Sequence, residues 1–583
     1  MSAQRPPKSR VHFCQRLFAL LLTLSITPSW LFAAPADFDP NFMPTFGYTS
    51  ARVEDGKAVY SQAMAIQPDG KIVVGASCQI NASTRATAFC VARFLSSGGL
   101  DQSFNPNGSP GAGTLLHRIG NIDPTVSRAG GDAIASTRLQ TDGKILAAGN
   151  CQRYTGPSGE SVNDFCAARY LPDGTLDGSF NTTGTLTTRW EISAGNYTTE
   201  VFSSAIQSDG KVVIAGTCSP PSNLKSVSLC LARYQANGAL DTQSFNAGAS
   251  ASGDRGLVLT SLTDPGFIPD SFTSMAIQTD GKIIVAGRCS STAGGVLYVD
   301  FCLIRYLPDG QLDRAGFGGP PVRGIATPAG MMRVSIEQQS FLNSMHLNAN
   351  GKIVLVGTCR TDATFQRICV SQHNADGSLN QVFANSGTVI QSLLIPTHPT
   401  QSRIAFTTSA LQSDGKLIVA ANCSGTSSGA SPTNVIFREC LLRLHLDGSL
   451  DTGFTKAGQA VKDGRVFGLL PDNYSLLQRD ISVRPEGGVV LLGSCYNTQL
   501  SRDEICVAQL QGGPTEGKAC SGDIDGDNQI SSAVDSVILA RIALGFTGAS
   551  VTEGIAFAPH ATRKTWPLIR DYLSNHCGMR TSL

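Results

Sequence analysis

From about residue 40 to residue 510 the chain alternates short apolar runs with tight polar turns, and almost none of it carries the 3.6-residue period of a helix. Met275 to Cys289 reads Met-Ala-Ile-Gln-Thr-Asp-Gly-Lys-Ile-Ile-Val-Ala-Gly-Arg-Cys, and Phe301 to Asp313 reads Phe-Cys-Leu-Ile-Arg-Tyr-Leu-Pro-Asp-Gly-Gln-Leu-Asp. Asp-Gly between β-rich runs predicts a hairpin, because glycine accepts the positive φ that a type I′ turn needs. The turn recurs at Asp69-Gly70, Asp142-Gly143, Asp209-Gly210, Asp280-Gly281 and Asp414-Gly415, with Asn350-Gly351 and Glu486-Gly487-Gly488 at the same place. A second turn follows at Asp173-Gly174, Asp309-Gly310, Asp376-Gly377 and Asp447-Gly448, with Asn237-Gly238 and Gly98-Gly99 as variants. Each copy then shows a Leu-Asp-x-x-Phe tail, as in Leu100 to Phe104, and a further β-rich stretch such as Gly256 to Leu262. That predicts about four short strands per copy, at a spacing of roughly 70 residues.

Four-stranded units repeated around an axis make a β-propeller, which leaves only short, protected sheet edges. The expected fold class is all-β, with a linear β-solenoid as the rival arrangement. The seventh copy ends at Leu510 without its tail, and an orphan tail, Phe38-Asp39-Pro40-Asn41-Phe42, stands near the N-terminus. A ring can complete its last blade from the other end of the chain, whereas a linear stack gains nothing from the split. The expectation is a seven-bladed propeller over residues 37–511, closed by the N-terminal segment.

Over residues 38–510 the unit resembles the delta-60 repeat, which reads A-x-Q-x-D-G-K-I-x-V-A-G and then A-R-Y-x-x-D-G-x-L-D-x-x-F-G. The resemblance implies a propeller-like fold in a secreted or surface protein of bacteria, and no particular reaction. The cysteines depart from the plain repeat. Fourteen of the 17 form pairs at one place in each copy: Cys78 with Cys90, Cys151 with Cys166, Cys218 with Cys230, Cys289 with Cys302, Cys359 with Cys369, Cys423 with Cys440, and Cys495 with Cys506. Antiparallel neighbours bring such pairs within bridging distance. Each bridge would contribute on the order of 3 kcal/mol in the chain-entropy model. Buried free thiols are the alternative, and zinc is a poor one, since no histidine stands at a zinc-like spacing. Disulfides imply an oxidising compartment.

An arginine stands three residues after the second cysteine, at Arg93, Arg169, Arg233, Arg305 and Arg443, and eight residues further on stands an aspartate, at Asp101, Asp177, Asp241, Asp313 and Asp451. In the fifth copy both charges vanish together, leaving Gln372 and Asn380. Each couple is expected to be a hydrogen-bonded ion pair within one blade, fixing the strand-to-tail turn.

Residues 1–36 read as a signal peptide: Arg5, Lys8, Arg10 and Arg16 precede the apolar run 17–26, and Ala34-Pro35-Ala36 offers a cleavage site. A retained anchor is the alternative, for which the run is short. The expectation is an exported chain, secreted, periplasmic or on the cell surface. Residues 512–519 read as a linker, and residues 520–583 as a small helical module. There Asp523, Asp525 and Asp527 occupy positions 1, 3 and 5 of an EF-hand-type loop, and Gln529 offers its carbonyl at position 7. Position 12 is Val534, and Asp535 follows one place later. The segment resembles a single dockerin-type calcium repeat of the kind whose last aspartate falls at the thirteenth position, which implies bound calcium. A dockerin carries two such loops and this chain shows one, so a cohesin-type partner is not expected. Cys520 and Cys577 bracket the module as an eighth expected disulfide.

Composition narrows the function by exclusion. With a formal net charge of +1, nothing suggests a nucleic-acid footprint, and no nucleic-acid partner is expected. No nucleophile elbow, P-loop, His-Glu-x-x-His or dinucleotide fingerprint occurs, so no catalytic residue is assigned. His346, His373 and His445 stand where a sibling copy has Ala276, Tyr306 and Leu307, and read as drift at tolerant positions. The segments between paired cysteines, such as 152–165 and 424–439, are polar and variable. Such loops suit the presentation of contacts. The expected function is binding of a protein or glycan through them. The alternatives are an enzyme acting on polysaccharide or peptide in the channel, and a structural surface component.

Overall fold

The computed structural model describes residues 36–577 save 44–46, 52–58, 81–85, 109, 121–130, 155–160, 225, 263–267, 362–365, 394–402, 427–434, 457–462, 470–473, 486, 498–501, 513–523, 526–530, 532, 545, 559–560 and 562. The signal-peptide segment and the Cys520 partner of Cys577 lie outside the described residues. Two compact units emerge: Phe38–Thr455 with Gln459–Leu510, and Gln511–Leu583 with Met1–Asp37 and Lys456–Gly458.

The first unit is built of antiparallel meanders. Val59–Ile66, Ile72–Gln79, Thr87–Phe94 and Thr114–His117 form one, with the two-residue strand Pro110–Gly111 outside it. Ala133–Leu139, Ile145–Tyr154, Ser161–Tyr170 and Thr185–Thr188 form the next. Gly195–Ile206, Val212–Ser219, Ser228–Tyr234 and Leu257–Ser261 follow, with Trp190–Ile192 paired to the first of them. An eight-stranded sheet divides at one parallel bridge, Val299 to Gln339, into two runs of four. These are Ile268–Ile277, Ile283–Ala293, Val296–Tyr306 and Met331–Val334, then Gln339–Leu347, Ile353–Arg360, Arg367–His373 and Thr388–Gln391. Arg403–Leu411, Leu417–Thr426, Val435–Leu444 and Arg465–Phe467 make another sheet. The last holds Tyr474–Val483, Val489–Asn497 and Arg502–Leu510, and its fourth strand is Tyr48–Ala51 from the other end of the chain.

The first strands of successive meanders pack side by side, and Tyr474–Val483 packs on both Arg403–Leu411 and Val59–Ile66. The meanders stack face on face. One apolar cluster joins Val73, Phe89 and Phe104 of one meander to Ile134, Ile145 and Cys166 of the next, and another joins Val490, Leu492 and Ile505 to Phe42, Val59 and Ile72. Burial on both faces explains why second strands such as Ile72–Gln79 read as continuous apolar runs rather than alternating ones.

The tails lock each meander to its neighbour. Asn105, Asn181 and Asn246, each just after a tail phenylalanine, hold φ near 48° and donate their backbone N–H at 2.7 Å to the carbonyls of Asp173, Asn237 and Asp309 in the next meander's turn. Their side-chain amides donate to the carbonyls of Thr114, Thr185 and Leu257. The N-terminal tail does the same at the last sheet. Phe38 bridges Leu510, Asp39 N–H donates to Gln509 O, Phe42 is fully buried, and Met43, at φ 45°, donates to Ser97 O. Ala384 takes the asparagine's place at φ 51° and keeps the bond to Asp447 O. Alanine gains nothing in this left-handed region, where asparagine is tolerated. Ala384→Asn is therefore expected to stabilise the chain by about 1 kcal/mol, read as a higher denaturation midpoint at unchanged slope.

The second unit contains α1, Asp535–Ala543, and α2, Trp566–Cys577. Ile524, Ile538, Val551, Trp566, Ile569 and Leu573 form its core. No helix among the described residues is long and apolar enough to cross a membrane.

Candidate binding site

The seven cysteine pairs of the repeats are bonded as their spacing predicts. Cys78 joins Cys90, Cys151 joins Cys166, Cys218 joins Cys230 and Cys289 joins Cys302. Cys359 joins Cys369, Cys423 joins Cys440 and Cys495 joins Cys506. Their Cα separations span 5.7–6.0 Å. Each bridge runs diagonally across the second and third strands; Cys78 faces Ala88 and Cys90 faces Ala76. A small residue faces the second cysteine each time. It is Gly149 opposite Cys166, Gly216 opposite Cys230, Gly287 opposite Cys302, Gly357 opposite Cys369 and Gly493 opposite Cys506, with Ala421 opposite Cys440. The loops above the bridges differ, with cysteine spacings from 10 to 17. Residues 81–85, 155–160, 225, 362–365, 427–434 and 498–501 of these loops lie outside the described residues. In the hairpin 290–299, Val296 and Leu297 are exposed.

The arginines meet the aspartates in all five charged couples, Nε to Oδ2, at 2.8 Å for Arg93–Asp101, 2.7 Å for Arg169–Asp177, 2.8 Å for Arg233–Asp241, 2.9 Å for Arg305–Asp313 and 2.8 Å for Arg443–Asp451. Each guanidinium also stacks 4.5–4.8 Å over its tail phenylalanine. The Arg–Asp bond stays within its own meander, but the guanidinium reaches further. Arg93, Arg169, Arg233 and Arg305 donate through Nη1 to the carbonyls of Pro172, Ala236, Pro308 and Ala375 in the next meander. The third strand ends where the neighbour's second turn packs, so one side chain serves both. Burial alone would raise Asp101, but hydrogen bonds from Ser103 and the charges of Arg93 and Lys71 outweigh it and bring its pKa down to about 2. In the fifth copy Asn380 Nδ2 donates to Gln372 Oε1 at 2.6 Å. The last meander exchanges the residues: Gln509 stands at the arginine position, and Arg484, where siblings have Gln278 or Gln412, donates to Gln509 Oε1 at 2.7 Å and to Gly70 O and Ser96 O. The repeat spacing alone did not show that exchange.

The first strands of all the meanders line a cavity of 940 Å³. Where siblings place Ser136, Ser203, Ser274 and Ser344, the last meander has Asp480. Its Oδ2 accepts the Met64 N–H at 2.9 Å and its Oδ1 accepts the Ile481 N–H at 2.9 Å. Enclosure raises Asp480 to about 6, against those two bonds and the charge of Arg138. Arg138 and His346 stand where siblings have Ala205 and Ala276. Arg138 Nε donates to Ser204 O at 2.8 Å. His346 Nε2 meets Ser409 Oγ at 2.8 Å, and burial lowers its pKa to about 4, so the ring is neutral at pH 7. His346 was singled out in the sequence; Arg138 and Asp480 were not, although aligning copies on the Asp-Gly turn exposes both as the odd residues of their positions. His373 is buried between Gly377 O and Ser371 Oγ and has a packing role. His445 lies 3.7 Å from Asp451.

Of the expected calcium ligands, Asp525 and Asp535 are described, and both are buried; Asp523, Asp527 and Gln529 lie outside the described residues. The Asp535 carboxylate accepts the N–H groups of Ile524, Asp525 and Ser531 and so folds the loop onto the start of α1.

Residues 67–104, 140–180, 207–243, 278–315 and 412–454 match the family model of the domain of unknown function (DUF5122) beta-propeller. The matches support a propeller repeat family, and the first unit is a β-propeller in class. A search of curated proteins found no match. Solved structures similar to this chain include a protein of unknown function from Dyadobacter fermentans, at 12% identity over 68% of this chain and 97% of that one, TM-score 0.36. Domains 1-2 of Drosophila Semaphorin 1a give 11%, 78%, 87% and 0.35, and the NanB sialidase of Streptococcus pneumoniae gives 10%, 79%, 70% and 0.35. Likeness at this level carries no functional inference.

Proposed function

We propose that the chain is an exported, seven-bladed β-propeller, closed by its N-terminal segment, that binds an extracellular protein or glycan through the loops above its disulfides. One observation carries the reading: bridges of uniform Cα separation stand beneath loops of differing length, a rigid frame under a variable surface. Seven bridges also fit an oxidising compartment outside the cytoplasm. The pairing of Tyr48–Ala51 with Arg502–Leu510, and the contact of Tyr474–Val483 with Val59–Ile66, support closure. The C-terminal loop is proposed to hold one calcium through Asp523, Asp525, Asp527, the Gln529 carbonyl and Asp535. The donor set is all oxygen, which suits a hard cation, and the ion would neutralise the clustered carboxylates. A second reading, catalysis on a polysaccharide or peptide in the channel, draws on Asp480 and His346 facing one cavity.

A glycan array and an extracellular-protein library, screened with and without calcium, test the binding reading. At least one partner is expected to bind the native chain, and Leu297→Ser or a shortened 290–299 hairpin to weaken one or more partners about tenfold while the melting temperature holds. Partners indifferent to every loop replacement overturn it. Turnover of a bound glycan that ceases in Asp480→Asn favours the second reading.

A further inference from the structure

Among the described strand pairs, register shifts occur only between first and second strands. In six meanders a shift falls at one level, between Ser61 and Ala63, Ile134 and Ser136, Val201 and Ser203, Phe272 and Ser274, Leu342 and Ser344, and Gln478 and Asp480, and the Ile268–Ile277 strand has a second between Pro269 and Ser271. In the Arg403–Leu411 strand it falls two residues earlier, between Ile404 and Phe406. A β-bulge leaves one residue unpaired and re-aims its side chain. The six extra residues are Gln62, Ala135, Phe202, Thr273, Asn343 and Arg479, and all six line the 940 Å³ cavity. The flanking position repeats as serine in four of these strands, while the bulge residue differs in every one. The frame is copied and the bulge ring is not, as expected of a ring whose side chains read a ligand.

The cavity's charges identify the kind of ligand. Arg138 and Arg479 face it, and so do Glu200 and Asp480, while His346 is held neutral. Two charges of each sign leave the lining without a net charge that would favour a phosphate or a carboxylate. Its polar groups are otherwise amides and hydroxyls, from Gln62, Asn343, Thr273 and the serines of the flanking position among others. Phe202 supplies an apolar ring, held by stacking on Phe272 at 6.0 Å and 27°. An aromatic face beside amides, hydroxyls and balanced charges matches a pyranose, which has an apolar C–H face and a rim of hydroxyls. The volume falls within the range of about 300–1,000 Å³ usual for small-molecule sites.

We propose that the channel binds an uncharged sugar, read by the bulge ring, with Phe202 beneath its C–H face and Asn343, Gln62 and Thr273 on its hydroxyls. This site is separate from the disulfide-tethered loops. Ligand-observed NMR on the full chain tests it with glucose, galactose, mannose and N-acetylglucosamine, against glucuronate, galacturonate, mannuronate and glucosamine as their charged counterparts. At least one neutral sugar is expected to bind, and to bind at least tenfold better than its charged counterpart. Asn343→Ala is expected to weaken that sugar about tenfold at an unchanged melting temperature. Phe202→Ala is expected to abolish binding. Binding of none of the neutral sugars overturns the proposal, as does equal binding of charged ones or binding that survives both substitutions in folded protein.

Discussion

Replacing Arg305 by glutamine is expected to lower the unfolding free energy by about 3–5 kcal/mol, and adding Asp313→Asn to the same chain to return about half of that loss. Both side chains are nearly buried, at 4% and 6% exposure, with Arg305 Nη2 2.8 Å from Asp313 Oδ2. Without the guanidinium, the Asp313 carboxylate keeps the Gly316 N–H at 2.9 Å and loses its counter-charge. An uncompensated buried charge costs more than the pair was worth. The fold already accommodates the neutral version, because Asn380 donates to Gln372 Oε1 at the equivalent place. The double variant copies that arrangement. It does not recover the Nη1 bond to Ala375 O at 2.6 Å or the stack over Phe317 at 4.5 Å. Part of the loss therefore stays, at about 1.5–2.5 kcal/mol. Urea denaturation of the native chain, the two single variants and the double variant closes the cycle. If the double variant loses the sum of the two singles, the residues do not act as a pair.

Much of the frame was legible because it recurs. One Asp-Gly turn is a weak signal; the same turn at matching places, each followed by Leu-Asp-x-x-Phe, leaves few ways to place the strands. The Arg–Asp couples were legible for the same reason, since Gln372 and Asn380 lose their charges together. The reach of the arginine into the next meander was not, because it depends on where the neighbour's turn packs, and no local spacing encodes that. The exchange of Arg484 with Gln509 hid for a related reason: a search tied to one position misses a charge that moved from the third strand to the turn after the first. The bulge ring is subtler. A bulge is a register event between two strands, and simple alternation assigns the wrong face to every residue beyond it. One trace of it stands in the sequence, the glycine at 149, 287 and 357 inside an apolar strand. A Cβ there would overlap the carbonyl oxygens of Ala133, Ser271 and Phe341, which the bulge brings close.

Asp480→Asn is expected to gain stability relative to the native chain as pH rises from 4 to 7.5. The carboxyl sits at about 6 in the folded chain against an ordinary value of 3.8. Below the lower value both states are protonated, and above the higher one both are ionised. Between them the folded chain holds a proton the unfolded chain has released, so stability falls as pH rises through that window and stays low above it. Asparagine does not titrate, and its one oxygen keeps an acceptor for Met64 or Ile481. The full interval corresponds to about 3 kcal/mol. The carboxylate is partly open to the channel, and water there reduces the expected gain to about 1–2 kcal/mol. The other groups facing the cavity, Arg138, Glu200, His346 and Arg479, are common to both proteins and cancel in the difference. Urea denaturation of both proteins at the two pH values reads it directly. A gap that does not change with pH would mean that water screens Asp480 fully. A gap that widens means the chain keeps a costly carboxylate in a ring where its siblings make do with serine. A residue kept at a cost in stability is what a functional site is expected to show.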